Sequence, residues 1–129
     1  MATTILTVDD SRTMRELIRH CLTDAGFEVI TAEHGADGLA KLENSTPDAI
    51  ITDINMPVMD GFQFIENVRA MDSRKRVPIL VLSTESDTDK KARARDAGAT
   101  GWIVKPFDAV KLVGALKRVL PASPAVART

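Results

Sequence analysis

Cysteine is nearly absent from this chain: Cys21 stands alone, so neither an intrachain disulfide nor a four-cysteine zinc site can form, and the scarcity points to a cytosolic setting. An excess of one charge is missing as well. The 17 Lys and Arg face 18 Asp and Glu for a net charge of −1, which leaves no strong field for nucleic acid or an anionic membrane. Long hydrophobic runs are lacking. The first apolar run, Ile5-Leu6-Thr7-Val8, has no basic segment before it and is too short for a signal peptide or a membrane span. No internal repeat, low-complexity tract or interior Pro/Gly/Ser linker divides the chain. What remains is 129 residues, 44% apolar and 27% charged, which amounts to one globular domain and excludes disorder for the bulk. Residues 121–129 read as a flexible C-terminal tail, so the domain is expected over residues 1–120.

Four short apolar runs rich in β-branched residues are present: Ile5–Val8, Ala49–Thr52, Ile79–Leu82 and Gly101–Val104. They read as strands buried on both faces. A further stretch, Phe27–Ala32, alternates and suits an edge strand. Met14, Leu17, Ile18, Cys21, Leu22 and Ala25 recur at helical spacing, with Ser11 as N-cap and Gly26 as the stop. Leu112, Val113, Leu116, Val119 and Leu120 repeat that pattern up to Pro121, and weaker helical patterns cover residues 36–44, 61–71 and 87–97. Five alternations of strand and helix require crossover connections, hence an α/β open sandwich with a parallel sheet and helices on both faces. Ligands in such sheets bind outside the carboxyl ends of the strands, so the residues just after each run are where chemistry is expected.

Those positions are polar. Asp9 and Asp10 follow the first run, Asp53 follows Ala49–Thr52, Ser83 and Thr84 follow Ile79–Leu82, and Lys105 follows Gly101–Val104. Three carboxylates thus converge on one sheet edge. At roughly 4 Å and an effective dielectric near 20, each pair repels by about 4 kcal/mol, so the edge requires a cation. Oxygen donors without histidine or thiolate suit a hard ion, Mg²⁺ rather than zinc, and Lys105 supplies a further positive charge. A metal and an ammonium would neutralise the oxygens of a transferring phosphoryl group, Ser83 could donate a hydrogen bond, and one carboxylate could attack phosphorus.

The segments Val8-Asp-Asp10, Asp53-Ile-Asn-Met-Pro-Val-Met-Asp-Gly61, Leu82-Ser-Thr-Glu85 and Gly98-Ala-Thr-Gly-Trp-Ile-Val-Lys-Pro-Phe107 together resemble the receiver domains of bacterial response regulators over residues 4–120. The single-domain chemotaxis regulators of the CheY type are the most similar kind. The resemblance implies a flavodoxin-like (βα)5 doubly wound sandwich with strand order 2-1-3-4-5. It implies a two-component phosphorelay role, with Asp53 as the phosphoacceptor for a CheA-like sensor histidine kinase. Asp10, the Asp53 carboxylate and the main-chain carbonyl of Asn55 would hold Mg²⁺, with Asp9 reaching it through water. Lys105 would pair with the phosphoryl oxygens, and Ser83 and Trp102 would form the switch. The face of residues 87–120 would then dock a downstream protein, expected to be the flagellar motor switch. A cis Lys105-Pro106 bond is implied too. On this reading the chain is a cytoplasmic, monomeric signalling switch without nucleic-acid or membrane partners, and it catalyses only its own phosphotransfer and dephosphorylation. Three residues depart from the commonest family pattern. Ser83 stands where Thr is usual, Thr84 is bulkier than the Ala or Gly often found there and would slow access to Asp53, and Trp102 replaces Tyr or Phe.

A phosphorelay shuttle or phosphate sink would use the same site. A Mg-dependent phosphohydrolase of the haloacid dehalogenase type needs a second acid two residues after its nucleophile, where this chain has Asn55. A flavin binder would meet repulsion between its phosphate and Asp9 and Asp10, and the Gly-x-x-x-x-Gly-Lys-Ser/Thr motif of nucleotide hydrolases is absent. Asp10 is alternatively a helix cap. Cys21 reads as a small core residue, His20 and His34 as surface residues without ligand or relay partners, and Met56 and Met59 as parts of a mobile loop over the site. Asn55 and Glu85 read as groups that orient a hydrolytic water and speed autodephosphorylation. Residues 85–120 hold 8 basic and 5 acidic residues against 8 and 13 in residues 1–84. The helical segment 87–97 has only alanines on its apolar side, so it reads as a weakly anchored, movable element whose Lys90, Lys91, Arg93 and Arg95 attract an acidic partner.

Overall fold

The computed structural model describes residues 3–71 and 76–120. Strands and helices alternate along them: β1 (Thr4–Val8), α1 (Arg12–Asp24), β2 (Glu28–Ala32), α2 (Gly35–Asn44), β3 (Ala49–Thr52), α3 (Gly61–Ala70), β4 (Ile79–Ser83), α4 (Thr88–Ala97), β5 (Gly101–Val104) and α5 (Ala109–Val119). All strand pairs are parallel, and the sheet order is β2-β1-β3-β4-β5. This is the doubly wound flavodoxin-like order. The chain steps outward from β1 to β2, then reverses past β1 to β3 and continues to β5. Crossovers of one hand therefore place α1 on one face and α2, α3 and α4 on the other.

The two cores follow that division, because successive residues of a strand point to opposite faces. Ile5, Ala49, Ile51, Leu80 and Leu82 pack with Ile18 and Leu22 of α1 and with Leu112, Ala115 and Leu116 of α5. Their neighbours Leu6, Val8, Ile50, Ile79 and Val81 pack with Leu42 of α2, with Phe62, Phe64, Ile65 and Val68 of α3, and with Ala94 of α4. β3, β4 and all of β1 except Thr4 are buried, which explains their largely apolar sequence. β5 differs from the expectation of burial on both faces. It is an edge strand with one neighbour, its first three residues are half-buried, and Val104 is exposed. α4 contributes a single fully buried residue, Ala94, so little apolar surface is available to cover that edge.

Local signals set the helix limits. Ser11 caps α1 by accepting from the Met14 N–H, which removes Asp10 from that role. Gly26 takes the left-handed turn after α1 at φ 95°. Asp60 and Gln63 form a reciprocal capping box on α3 at 2.9 and 3.1 Å, and Asp87 and Asp108 cap α4 and α5. α2 is capped by His34, whose Nδ1 accepts from the Asp37 N–H at 3.1 Å, a partner that its sequence context does not announce. Cys21 is half-buried against the α1–α5 core, and the Lys105-Pro106 bond is cis. The tail, residues 121–129, lies outside the described residues.

Gly61 closes the β3–α3 loop: its N–H donates to Ile54 O at 2.8 Å, and a Cβ there would stand 2.3 Å from the Asp53 carbonyl oxygen and 2.7 Å from Ile54 Cα. Backbone cannot yield to that contact, so Gly61→Ala should destabilise the fold by about 2 kcal/mol or more, measured by urea titration. α4 provides a second expectation. With one buried side chain it should open locally, and the amides of Thr88–Ala97 should exchange at least about tenfold faster than those of β1 and β3.

Candidate functional site

The sheet ladder delivers the acids to one place. Val8 and Thr52 are register partners in adjacent strands, and the Asp53 N–H donates to Val8 O at 3.0 Å. Asp9 and Asp53 are the residues that follow this pair. β1 and β3 flank the point at which the winding reverses, so the crevice between their carboxyl ends is where such a sheet opens to a ligand. Asp9, Asp10 and Asp53 each present a carboxylate oxygen within 4.8 Å of the others. Asp9 is buried, Asp10 is exposed and Asp53 is half-buried.

β4 and β5 bring in the cation. Ser83 and Val104 are register partners, and the Lys105 N–H donates to Ser83 O at 2.7 Å. The Lys105 ammonium then reaches across to Asp9 Oδ2 at 3.4 Å and Asp53 Oδ1 at 3.8 Å, with a side chain only 12% exposed. One ammonium opposes three carboxylates. Burial pushes the Asp53 carboxyl above its ordinary range despite Lys105, with repulsion from Asp9 and Asp10 adding to the rise and the Ile54 N–H at 2.8 Å opposing it. The all-oxygen donor set and the surplus of negative charge fit a hard divalent cation.

Ser83 is the last residue of β4, one position further into the strand than its sequence run suggests, and it is fully buried. Its Oγ accepts from the Glu85 N–H at 3.2 Å. Thr84 is exposed beside it. Trp102 is half-buried on β5, and its indole N–H donates to the Glu85 carbonyl at 2.8 Å, so the larger ring is accommodated with its polar atom satisfied. Glu85 thus links the two switch candidates through its own backbone.

Asn55 and Glu85, expected as groups that orient a hydrolytic water, are bonded to each other. Asn55 Nδ2 donates to Glu85 Oε2 at 3.0 Å, and Glu85 Oε1 pairs with Lys90 of α4. The hydrogen bonds from Asn55 and Lys90 hold the Glu85 carboxyl below its ordinary range. Met56 and Met59 lie in the loop between β3 and α3, where Met56 is buried in the core and Met59, half-buried, packs against that core and Gly35. Between them Val58 takes φ 69°, a strained value for a β-branched residue, and is exposed.

Two cationic contacts hold α4 where apolar contacts are few. The Arg93 guanidinium lies 4.1 Å from the Phe62 ring centroid, and Arg69 of α3 donates twice to Gly98 O at the end of α4. Sequence reasoning also missed Arg15, which donates to the Asp9 carbonyl at 2.7 Å. No regular spacing announces a contact of that kind.

A raised Asp53 carboxyl binds its proton more readily folded than unfolded, so folding loses stability as pH rises above the ordinary value of 3.8. In chelator at neutral pH, Asp53→Asn should therefore melt at a higher temperature than the wild type, and the difference should shrink as the pH approaches 4.

Comparison with known proteins agrees with this geometry. The family described as "Response regulator receiver domain" matches residues 5–117. The transcriptional regulatory protein PrrA of Mycobacterium tuberculosis is 41% identical over 116 residues, covering 90% of this chain and 49% of PrrA, so the chain spans about half the length of that relative. The chemotaxis protein CheY1 of Helicobacter pylori is 41% identical over 118 residues, covering 90% of this chain and 95% of CheY1. Among solved structures, the chemotaxis protein CheY4 of Vibrio cholerae superposes with a TM-score of 0.91 at 47% identity, covering 93% of this chain and all of that one. Domains of this family are signalling switches, and among the described residues no helix is long and apolar enough to cross a membrane. The chain belongs to the receiver-domain family of two-component response regulators.

Proposed function

We propose that this chain is a CheY-like response regulator phosphorylated on Asp53 by a CheA-like sensor histidine kinase, with Mg²⁺ as cofactor. The observation that carries the reading is the three-carboxylate cluster with Lys105 enclosed in it at the winding reversal between β1 and β3. Asp9, Asp10, the Asp53 carboxylate and the main-chain carbonyl of Asn55 would hold Mg²⁺, which when bound supplies positive charge to the phosphoryl oxygens. An Asp53 carboxylate oxygen attacks phosphorus, the P–N bond to the donor histidine breaks, and the imidazole leaves with the bonding pair. Lys105 places its ammonium against the phosphoryl oxygens. Water later cleaves the acyl phosphate and restores the Asp53 carboxylate and inorganic phosphate.

The change is transmitted through Glu85. When the Ser83 hydroxyl turns toward the phosphoryl group, its bond to the Glu85 N–H is disturbed, and the same residue holds the Trp102 indole through its carbonyl. The consequence is a reshaped surface between α4, β5 and α5. That surface contains a groove of about 620 Å³ lined by Trp102, Ile103, Val104, Val110, Lys111 and Arg118, and a separate, smaller cavity lined by Lys91 and Arg95 of α4 that shares Trp102 with it. Apolar residues rimmed by cations fit an acidic amphipathic helix, and a target that binds the phosphorylated arrangement more tightly shifts the population toward it. The flagellar motor switch protein is the target proposed. The chain acts as a cytoplasmic monomer, with residues 1–120 as the working domain.

The direct test is incubation with Mg²⁺ and acetyl phosphate followed by rapid intact-mass measurement. One added phosphoryl group should appear in the wild type, require Mg²⁺ and be absent from Asp53→Ala. Failure to form the adduct, together with no Trp102 fluorescence change on adding beryllofluoride, would reject the phosphoacceptor reading.

A further inference from the structure

We infer that Arg15 is a positioning residue for the metal site, bracing the turn from which Asp9 and Asp10 project. The inference rests on the reading of that acid cluster as a Mg²⁺ site. Arg15 Nη1 donates to the main-chain oxygen of Asp9 at 2.7 Å from a half-buried side chain. Its backbone N–H donates to Ser11 O at 2.9 Å and so closes the first turn of α1. A helix start carries partial positive charge and disfavours a cation, and α1 has no acidic residue in its first turn to offset one. What Arg15 gains there is a charge-assisted hydrogen bond to the Asp9 carbonyl in the β1–α1 turn.

The turn is fixed at three points. The Asp9 N–H donates to Ala32 O at 3.1 Å, Asp9 Oδ1 accepts from the Ser11 N–H at 2.9 Å, and the Asp9 carbonyl accepts from Arg15. Asp10 sits inside that turn, exposed, and its carboxylate has no hydrogen-bond partner among the described residues. Its aim is therefore set by the backbone that Arg15 holds. The guanidinium occupies a carbonyl oxygen and no carboxylate oxygen. Among the described residues, the ion pairs of Asp9 and Asp53 come from Lys105 alone. Arg15 can thus order the ligands without competing for them.

Positioning and simple counter-charge have effects of opposite sign, which makes the inference testable. Removing a cation beside three carboxylates tightens Mg²⁺ binding by electrostatics alone, whereas removing a brace of the ligand backbone weakens it. The experiment is calorimetric titration of the full chain with MgCl₂ at constant ionic strength, for the wild type, Arg15→Ala, Arg15→Met and Arg15→Lys. Circular dichroism checks the fold of each, and Met retains the aliphatic stem should Ala lose it. Arg15→Ala and Arg15→Met should bind Mg²⁺ about tenfold more weakly, as outer-shell partners of metal ligands do when removed, and Lys should restore most of the affinity. Equal or tighter binding by a folded Ala or Met variant overturns the inference, even if that variant melts earlier. Absence of Mg²⁺ binding by the wild type overturns the metal-site reading itself, before any variant is compared.

Discussion

Three carboxylates are held on one sheet edge against their mutual repulsion, and the rest of the molecule is arranged around that constraint. Their carboxylate oxygens lie within 4.8 Å of one another, and among the described residues a single ammonium answers them. The ladder bond from Asp53 N–H to Val8 O, and that from Lys105 N–H to Ser83 O, hold in neighbouring strands the backbone from which Asp53 and Lys105 project. Stability is drawn from elsewhere, namely the two apolar layers on either face of β1, β3 and β4. The site is thus a charged defect supported by a rigid sheet, and a ligand that neutralises it binds to an arrangement already formed.

The two faces of the sheet are not equivalent. α1 and α5 cover one face with buried Ile, Leu and Ala, whereas α4, beside the edge strand β5, buries Ala94 and otherwise relies on charged contacts. Arg93 over Phe62, Arg69 on Gly98 O and Lys90 on Glu85 are interactions that solvent and neighbouring charges can rebalance at small cost. Apolar packing is harder to rearrange because cores are filled close to crystal density. The α4–β5 side is therefore the less tightly packed one, and there Glu85 is bonded to Asn55, Ser83, Lys90 and Trp102.

Much of this was legible in the chain. The β-branched runs located the central strands, cap residues such as Ser11 and Asp60 located helix starts, and the residues after each run were the ones that met at the site. Errors arose where one pattern had two physical meanings. Gly101–Val104 looks like an interior strand, yet among the described residues it pairs with β4 alone and forms an edge of the sheet. Met56 and Met59 lie in a segment with turn residues, and a loop reading was natural, but Met56 folds back into the core. Asn55 and Glu85 are polar and close to the site, and only their spatial neighbours reveal that they bind each other and Lys90.

Local patterns in the chain specify the order and kind of the elements, the placing of Asp9, Asp10, Asp53 and Lys105 at strand ends that meet on one sheet edge, and the apolar poverty of the segment that forms α4. These follow from periodicity and composition, which act within a few residues along the chain. How the polar groups are shared emerges only in three dimensions: Lys105 on Asp9 and Asp53, Arg15 on a carbonyl, Glu85 between Asn55 and Lys90, the indole of Trp102 on Glu85 O. Long polar side chains have several partners within reach, and the choice among them depends on burial and distance across the fold, which no local pattern encodes.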